Sequence, residues 1–428
     1  MMSQLRRFAW MALLVVANGS MADDSFEQKP IEYSKGKPSN PISRLQEQLA
    51  KGAVSLNHDR RFGYLPALLE KLEVPTDSQM LVHSKTSLQR SRISPRTPRA
   101  LYFNDEIYVG YCQSGEVIEI SVADPGLGTV FYTLDQKQEA APVFLRQTDK
   151  CLICHGSSQT DGVPGHLVRS VFVDEHGLPL LGEGSHRVDH TTPLEDRWGG
   201  WYVTGRHGEQ KHLGNLIYRG GKVQRPIVND AGLNVTMLDD HFSTERYLTP
   251  HSDIVALMVL EHQAMVHNLI TKASFATREA LHYELEFNRA LGEPVGNRLP
   301  STTSRIRNAG EKLVRGLLFV DEAKLTDSIV GTSTFTEQFS TRGPRDSKGR
   351  SLRDFDLTTR LFKFPCSYLI YSPAFDGLPD EAKAYVSSRL QEILTGTSRE
   401  EAYAHLSDED RQTIFGILRE TKPDLLRD

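Results

Sequence analysis

The amino-acid sequence predicts an α+β fold, with a β-rich stretch over residues 100 to 248 followed by a mainly α-helical one over 249 to 428. Two observations carry that expectation. Short runs rich in Val, Ile, Tyr and Phe, broken by Asn-Asp, Ser-Gly and Pro-Gly turn signals, fill the first stretch. After Pro250 the apolar residues recur at helical spacing instead.

Taken in order, residues 1 to 22 read as a secretory signal peptide. Arg6 and Arg7 open it, an apolar run covers 8 to 17, and Ser20-Met21-Ala22 offers a small-residue cleavage site. That run is shorter than the roughly 20 apolar residues a membrane-spanning helix needs. The expected product is therefore exported, periplasmic or otherwise, and starts near Asp23. No later stretch reads as apolar enough to span a membrane. Residues 23 to 99 read as an extended leader, "EQKPIEYSKGKPSNPISR", with short helices at "RLQEQLAKG" and "LPALLEKLE". The stretch ends in a segment bearing Lys85, Arg90, Arg92, Arg96 and Arg99 and no acidic residue.

Strands are expected at "ALYFNDEIYVGYC", "VIEISVA", "TVFYTLDQ", "HLVRSVFVDEHGLPL" and "GWYVTGRHGEQKHLGNLIYRGGKV". Helices are expected over 252 to 291, 304 to 319, 379 to 394 and 408 to 421. The first starts at Ser252-Asp253, and the last is opened by the capping-box pattern Ser407-x-x-Asp410. A chain of 428 residues leaves room for two to three domains, and its formal net charge of −5 is the wrong sign for a general nucleic-acid partner. No phosphate-binding glycine loop, HExxH helix or GxSxG elbow is present.

The chemistry concentrates in "KCLICHGSSQ", residues 150 to 159, which holds two of four cysteines and a histidine directly after the second. A CxxC pair serves disulfide exchange or zinc binding, and CxxCH serves covalent haem attachment through two thioethers. By composition a chance CxxCH is expected only about 0.001 times in such a chain. In an oxidising compartment a bare CxxC would tend to close. A zinc site needs further ligands, usually a second cysteine pair, whereas Cys112 and Cys366 are isolated singles, bonded to each other or not.

Cys151-Leu152-Ile153-Cys154-His155 resembles the attachment site of the c-type cytochromes, and the chain around it resembles large exported single-haem bacterial proteins. The resemblance implies one covalent haem c, with Cys151 and Cys154 as anchors and His155 as proximal ligand of the iron. It further implies electron transfer with a redox partner protein. The alternative is a haem-c oxidoreductase, peroxidase- or oxidase-like, with an open distal iron site; a haem-based sensor is a third. The basic segment 84 to 100 is then a solvated loop, a docking patch for an acidic redox partner, or a partner of the haem carboxylates. A small cytochrome c supplies a distal methionine several dozen residues downstream. Here the nearest, Met237, lies 82 positions after His155.

Twelve of the fifteen histidines fall between His155 and His282. Met258, His262 and Met265 share one face of the long helix, which makes the distal-ligand candidates Met237, Met258, His262, Met265 or none. Trp198 and Trp201 are expected to form an aromatic hairpin core or to lie against the haem, with Arg197 or Arg206 pairing its carboxylates.

Overall fold

The computed structural model describes residues 24–220, 223 and 225–426; the expected signal peptide over 1–22 lies outside them. Strand-forming runs pair mostly in succession. β1 (Met80–Val82), β2 (Arg99–Phe103), β3 (Ile107–Tyr111), β4 (Val117–Asp124), β5 (Gly128–Asp135) and β6 (Phe144–Gln147) build an antiparallel sheet. Two residues from much later in the chain complete its other edge. Counting β7 (Arg169–Val171) and β8 (Ser185–Arg187), which pair apart, these are β9 (Trp201–Tyr202), giving the order β6-β5-β4-β3-β2-β1-β9. The β4–β5 hairpin shows why the turns fall where they do. Asp124 Oδ1 accepts from the backbone N–H groups of Gly126 and Leu127, and Gly128 takes the positive φ of 69° that follows.

Period-two alternation gives the sheet two unlike faces. On one, Leu81, Tyr102, Val109, Ile118, Ile120 and Val130 pack under α1 (Pro41–Ala50) and α2 (Leu65–Lys71). On the other, Met80, Val82, Phe103, Tyr108 and Ala123 pack on α4 (Ile254–Leu291), while α3 (Leu152–His155) is the single turn formed by the CxxCH segment. α5 (Pro300–Leu317), α6 (Phe335–Thr341), α7 (Pro373–Asp376), α8 (Asp380–Leu394) and α9 (Asp408–Thr421) extend that second core, and a small pair, β10 (Gly205–Arg206) with β11 (Val330–Gly331), ties the two halves. The fold is α+β.

α4 starts where the sequence places it. Asp253 caps Val255 and Ala256, and Gly292 ends the helix in the left-handed region. Ser252 Oγ accepts from Leu81 N–H and donates to the Tyr202 carbonyl, bolting the helix start to the sheet edge. α4 is long and apolar enough to cross a bilayer, yet 94% of its most apolar window is buried inside the protein. It is a core helix here. The capping box at Ser407 and Asp410 forms as read.

The stretch from 169 to 248 departs from expectation. It is mostly irregular, with strands of two or three residues. Side chains there replace the ladder: Asn215 accepts from Val203 N–H and donates to the Val203 and Gly232 carbonyls. Backbone groups satisfied this way have no need of a neighbouring strand.

Candidate functional site

A cavity of about 350 Å³ lies on the α4-facing side of the sheet. Its floor is one pleat row: Arg99 and Leu101 from β2, Tyr108 and Gly110 from β3, Glu119 and Ser121 from β4, Phe131 and Thr133 from β5. Leu260 and Ala264 of α4 and Val168 line it as well, and Trp201 of the edge strand stands on the same sheet face as Arg99. The rim is Thr86–Leu88 on one side and Lys150, Cys151, Ile153 and Cys154 on the other. Glycine, serine and threonine in the middle strands leave the space that larger side chains would fill. Gly110 in particular accommodates the Arg99 guanidinium, which a Cβ would meet at 2.2 Å.

The CxxCH segment folds as one helical turn, closed by the His155 N–H donating to the Cys151 carbonyl at 3.0 Å. Spacings of three and four put Cys151, Cys154 and His155 on one side of such a turn. Leu152 anchors the turn in the core under α1, whereas Ile153 is 71% exposed at the rim. His155 is fixed from two directions. Its Nδ1 lies 2.9 Å from the Gly165 carbonyl, and its own carbonyl accepts from Gly165 N–H at 2.8 Å. A carbonyl only accepts, so Nδ1 carries the proton and Nε2 keeps its lone pair. Phe131 packs on the ring at 5.0 Å, and burial lowers the pKa of the imidazole, favouring its neutral form.

Ten residues on, Gly165 and His166 are clamped by α4. Asn268 Oδ1 accepts from His166 N–H, and its Nδ2 donates to the His166 carbonyl, each at 2.8 Å. A Cβ on Gly165 would meet Asn268 Oδ1 at 2.5 Å, which explains the glycine. The buried His166 ring lies tilted against Tyr108, ring centroids 3.9 Å apart, with Nδ1 3.2 Å from Thr129 Oγ1 and Nε2 without a hydrogen-bond partner. Behind it the Tyr108 hydroxyl accepts from Gln263 Nε2 and lies 2.9 Å from His267 Nδ1. The Gln263 amide is oriented by its Nε2 also donating to the Asn104 carbonyl and its Oε1 accepting from Tyr368.

Of the expected distal candidates, none lines the cavity. Met237 is 72% exposed, and Met258 belongs to the second core. Met265 packs toward Gly316 on α5. His262 faces away from the cavity, its Nδ1 2.9 Å from His190 Nδ1 and its Nε2 2.7 Å from Ser367 Oγ. Trp201 does line the cavity, donating from Nε1 to the Arg169 carbonyl. Trp198 does not: it donates to Glu261, which also pairs with Arg197 at 2.9 Å in a fully buried knot. Arg206 is exposed. Of the basic segment, Arg99 reaches the cavity and pairs with Glu119 at 2.6 Å, while Arg92 pairs with Glu116 at the surface.

All four cysteines are free thiols. Cys112 directly follows β3 and Cys366 lies in the second core, and they are not bonded to each other. Burial pushes the Cys151 thiol up to about 11, the reverse of what a disulfide-exchange nucleophile needs. Among the described residues no three His, Cys, Asp or Glu side chains converge as a zinc site requires. No protein-family model, curated protein or solved structure matches the chain.

Proposed function

We propose that the chain carries one haem c, bound through Cys151 and Cys154 and ligated by His155, and works in electron transfer in an exported compartment. The observation that carries this is the CxxCH turn itself. It forms one wall of a cavity of cofactor size, with His155 Nδ1 tied to a carbonyl and Nε2 free to ligate. When bound, a haem supplies a one-electron couple whose potential follows its ligands and its burial.

The chain's own residues do the rest. Cys151 is half-buried and Cys154 exposed, so both thiols are reachable at the rim. Each would hold the haem through a thioether, its S–H added across a vinyl group with no net oxidation or reduction. The Gly165 carbonyl fixes the tautomer and aim of His155. Leu101, Phe131, Val168, Trp201, Leu260 and Ala264 exclude water, while Arg99 and Lys150 are placed to meet carboxylates. The second possibility, an oxidoreductase with an open iron site, is favoured by one observation: no methionine lines the cavity.

The test is intact mass of the exported protein after acid–acetone extraction, with retention of a single haem increment as the expected result. Pigment passing wholly into the organic phase would refute a c-type site. Cys151→Ala and Cys154→Ala should each impair maturation, and His155→Ala should change the visible spectrum more than any other histidine substitution.

A further inference from the structure

The cavity wall contains one more group suited to iron. Apart from the CxxCH residues, the nitrogen-bearing side chains that reach it are Arg99, Lys150, His166 and Trp201. A guanidinium and an indole N–H have no lone pair to give, and Arg99 is already held by Glu119. Lys150 is exposed and directly precedes Cys151. His166 is 6% exposed, and its Nε2 has no partner although a buried polar atom without one costs stability. The ring is also pre-set. Asn268 clamps its backbone from both sides, Thr129 meets Nδ1, and the Tyr108 ring lies against its face. A side chain held that firmly with one nitrogen left over is built to meet something in the cavity.

We propose that His166 Nε2 is the second protein ligand of the haem iron, making the site a six-coordinate, two-imidazole electron carrier. It rests on the haem assignment above and fails separately from it. Covalent haem is first counted by mass in the full exported chain, and its absence overturns both. With haem present, low-temperature EPR of the oxidised protein should show a low-spin iron with two nitrogen ligands. His166→Ala should keep the haem covalently bound, turn it high-spin, and bind added imidazole roughly tenfold or more tightly, because the external ligand no longer competes with a protein one. His166→Met should instead raise the reduction potential. High-spin iron in the unmutated protein, or an unchanged spectrum and imidazole affinity in His166→Ala, overturns the proposal. The unmutated spectrum decides the matter even if neither variant accumulates.

Discussion

α4 carries histidines into two settings that differ in one respect. Toward the sheet, His267 backs the Tyr108 hydroxyl, Asn268 clamps His166, and beyond them lies open volume. Toward the C-terminal helices, His262 is stacked on Phe319 at 4.0 Å, and both its nitrogens are taken by His190 and Ser367. Next to it Glu261 is paired with Arg197 and Trp198, and Arg197 also donates to the Thr192 and His190 carbonyls. Both settings hold buried imidazoles, but only one has an imidazole facing a cavity with a nitrogen to spare. Polar groups packed together without space make a structural knot, even where His190 Nε2 is left without a partner; an unsatisfied atom beside space makes a site.

The largest effect should come from breaking the knot. Arg197→Ala leaves Glu261, fully buried, with its counter-charge removed, and a buried pair broken on one side typically costs about 3–5 kcal/mol. Chemical denaturation should show that loss, while any protein that still folds should keep its haem and spectrum. His262→Ala comes next, at about 2–3 kcal/mol for lost packing and stranded partners. It too should leave spectrum and potential untouched. A spectral change in either variant would erase the distinction between the two settings.

The sequence makes the first setting only half legible. The CxxCH turn and α4 with its Asp253 start stand out because their signals are local: fixed spacing, a cap, and 3.6-residue periodicity. The Met258, His262 and Met265 stripe has the same local signal but faces the C-terminal core, since helical spacing says which residues share a face and not what that face meets. His166 lies in "GVPGH", where no spacing marks it. Its role depends on Asn268 and Tyr108, 102 and 58 positions away in sequence. The cavity floor is equally invisible in the sequence, because Gly110, Ser121 and Thr133 come together only when β3, β4 and β5 align them.

Both settings share a sensitivity to acid. Burial lowers His83, His212 and His267 to about 3 and His190 to about 4, and holds His166 and His262 well below the ordinary value of 6.5. These groups stay neutral when folded and take up a proton when unfolded. Their stability contribution is complete above pH 6.5 and is lost as pH falls below it. Each is worth about 1.4 kcal/mol per pH unit in that window. Denaturation midpoints should fall steeply from pH 6.5 toward 4, with proton uptake on unfolding. His262→Gln should flatten that slope by about one proton, so an unaltered slope would mean that His262 is protonated in the folded protein.

The smallest effect on stability, and the sharpest contrast between the settings, is expected from a single methyl group. At Gly110 a Cβ meets Arg99 Nη2 at 2.2 Å; at Gly316, on the far side of α4, it meets Leu269 Cδ1 at 2.5 Å. Both obstacles are the ends of flexible side chains. Gly316 is buried where α5 packs on α4 and Leu269 is half-buried beside it, so Gly316→Ala crowds that contact, at a cost of about 1–3 kcal/mol, with haem content unchanged. Arg99 faces the cavity, so its guanidinium has room to swing away, but its pair with Glu119 is only 19% and 15% exposed, and giving it up costs about 1–3 kcal/mol. The displaced group then takes up room in the cavity and pulls away from Glu119, which Ser87 still holds at 2.8 Å. Gly110→Ala should therefore cost about as much stability as Gly316→Ala but, unlike it, lower the haem-bearing fraction counted by intact mass. Equal haem occupancy in the two variants would show that the floor around Gly110 is not where the cofactor sits.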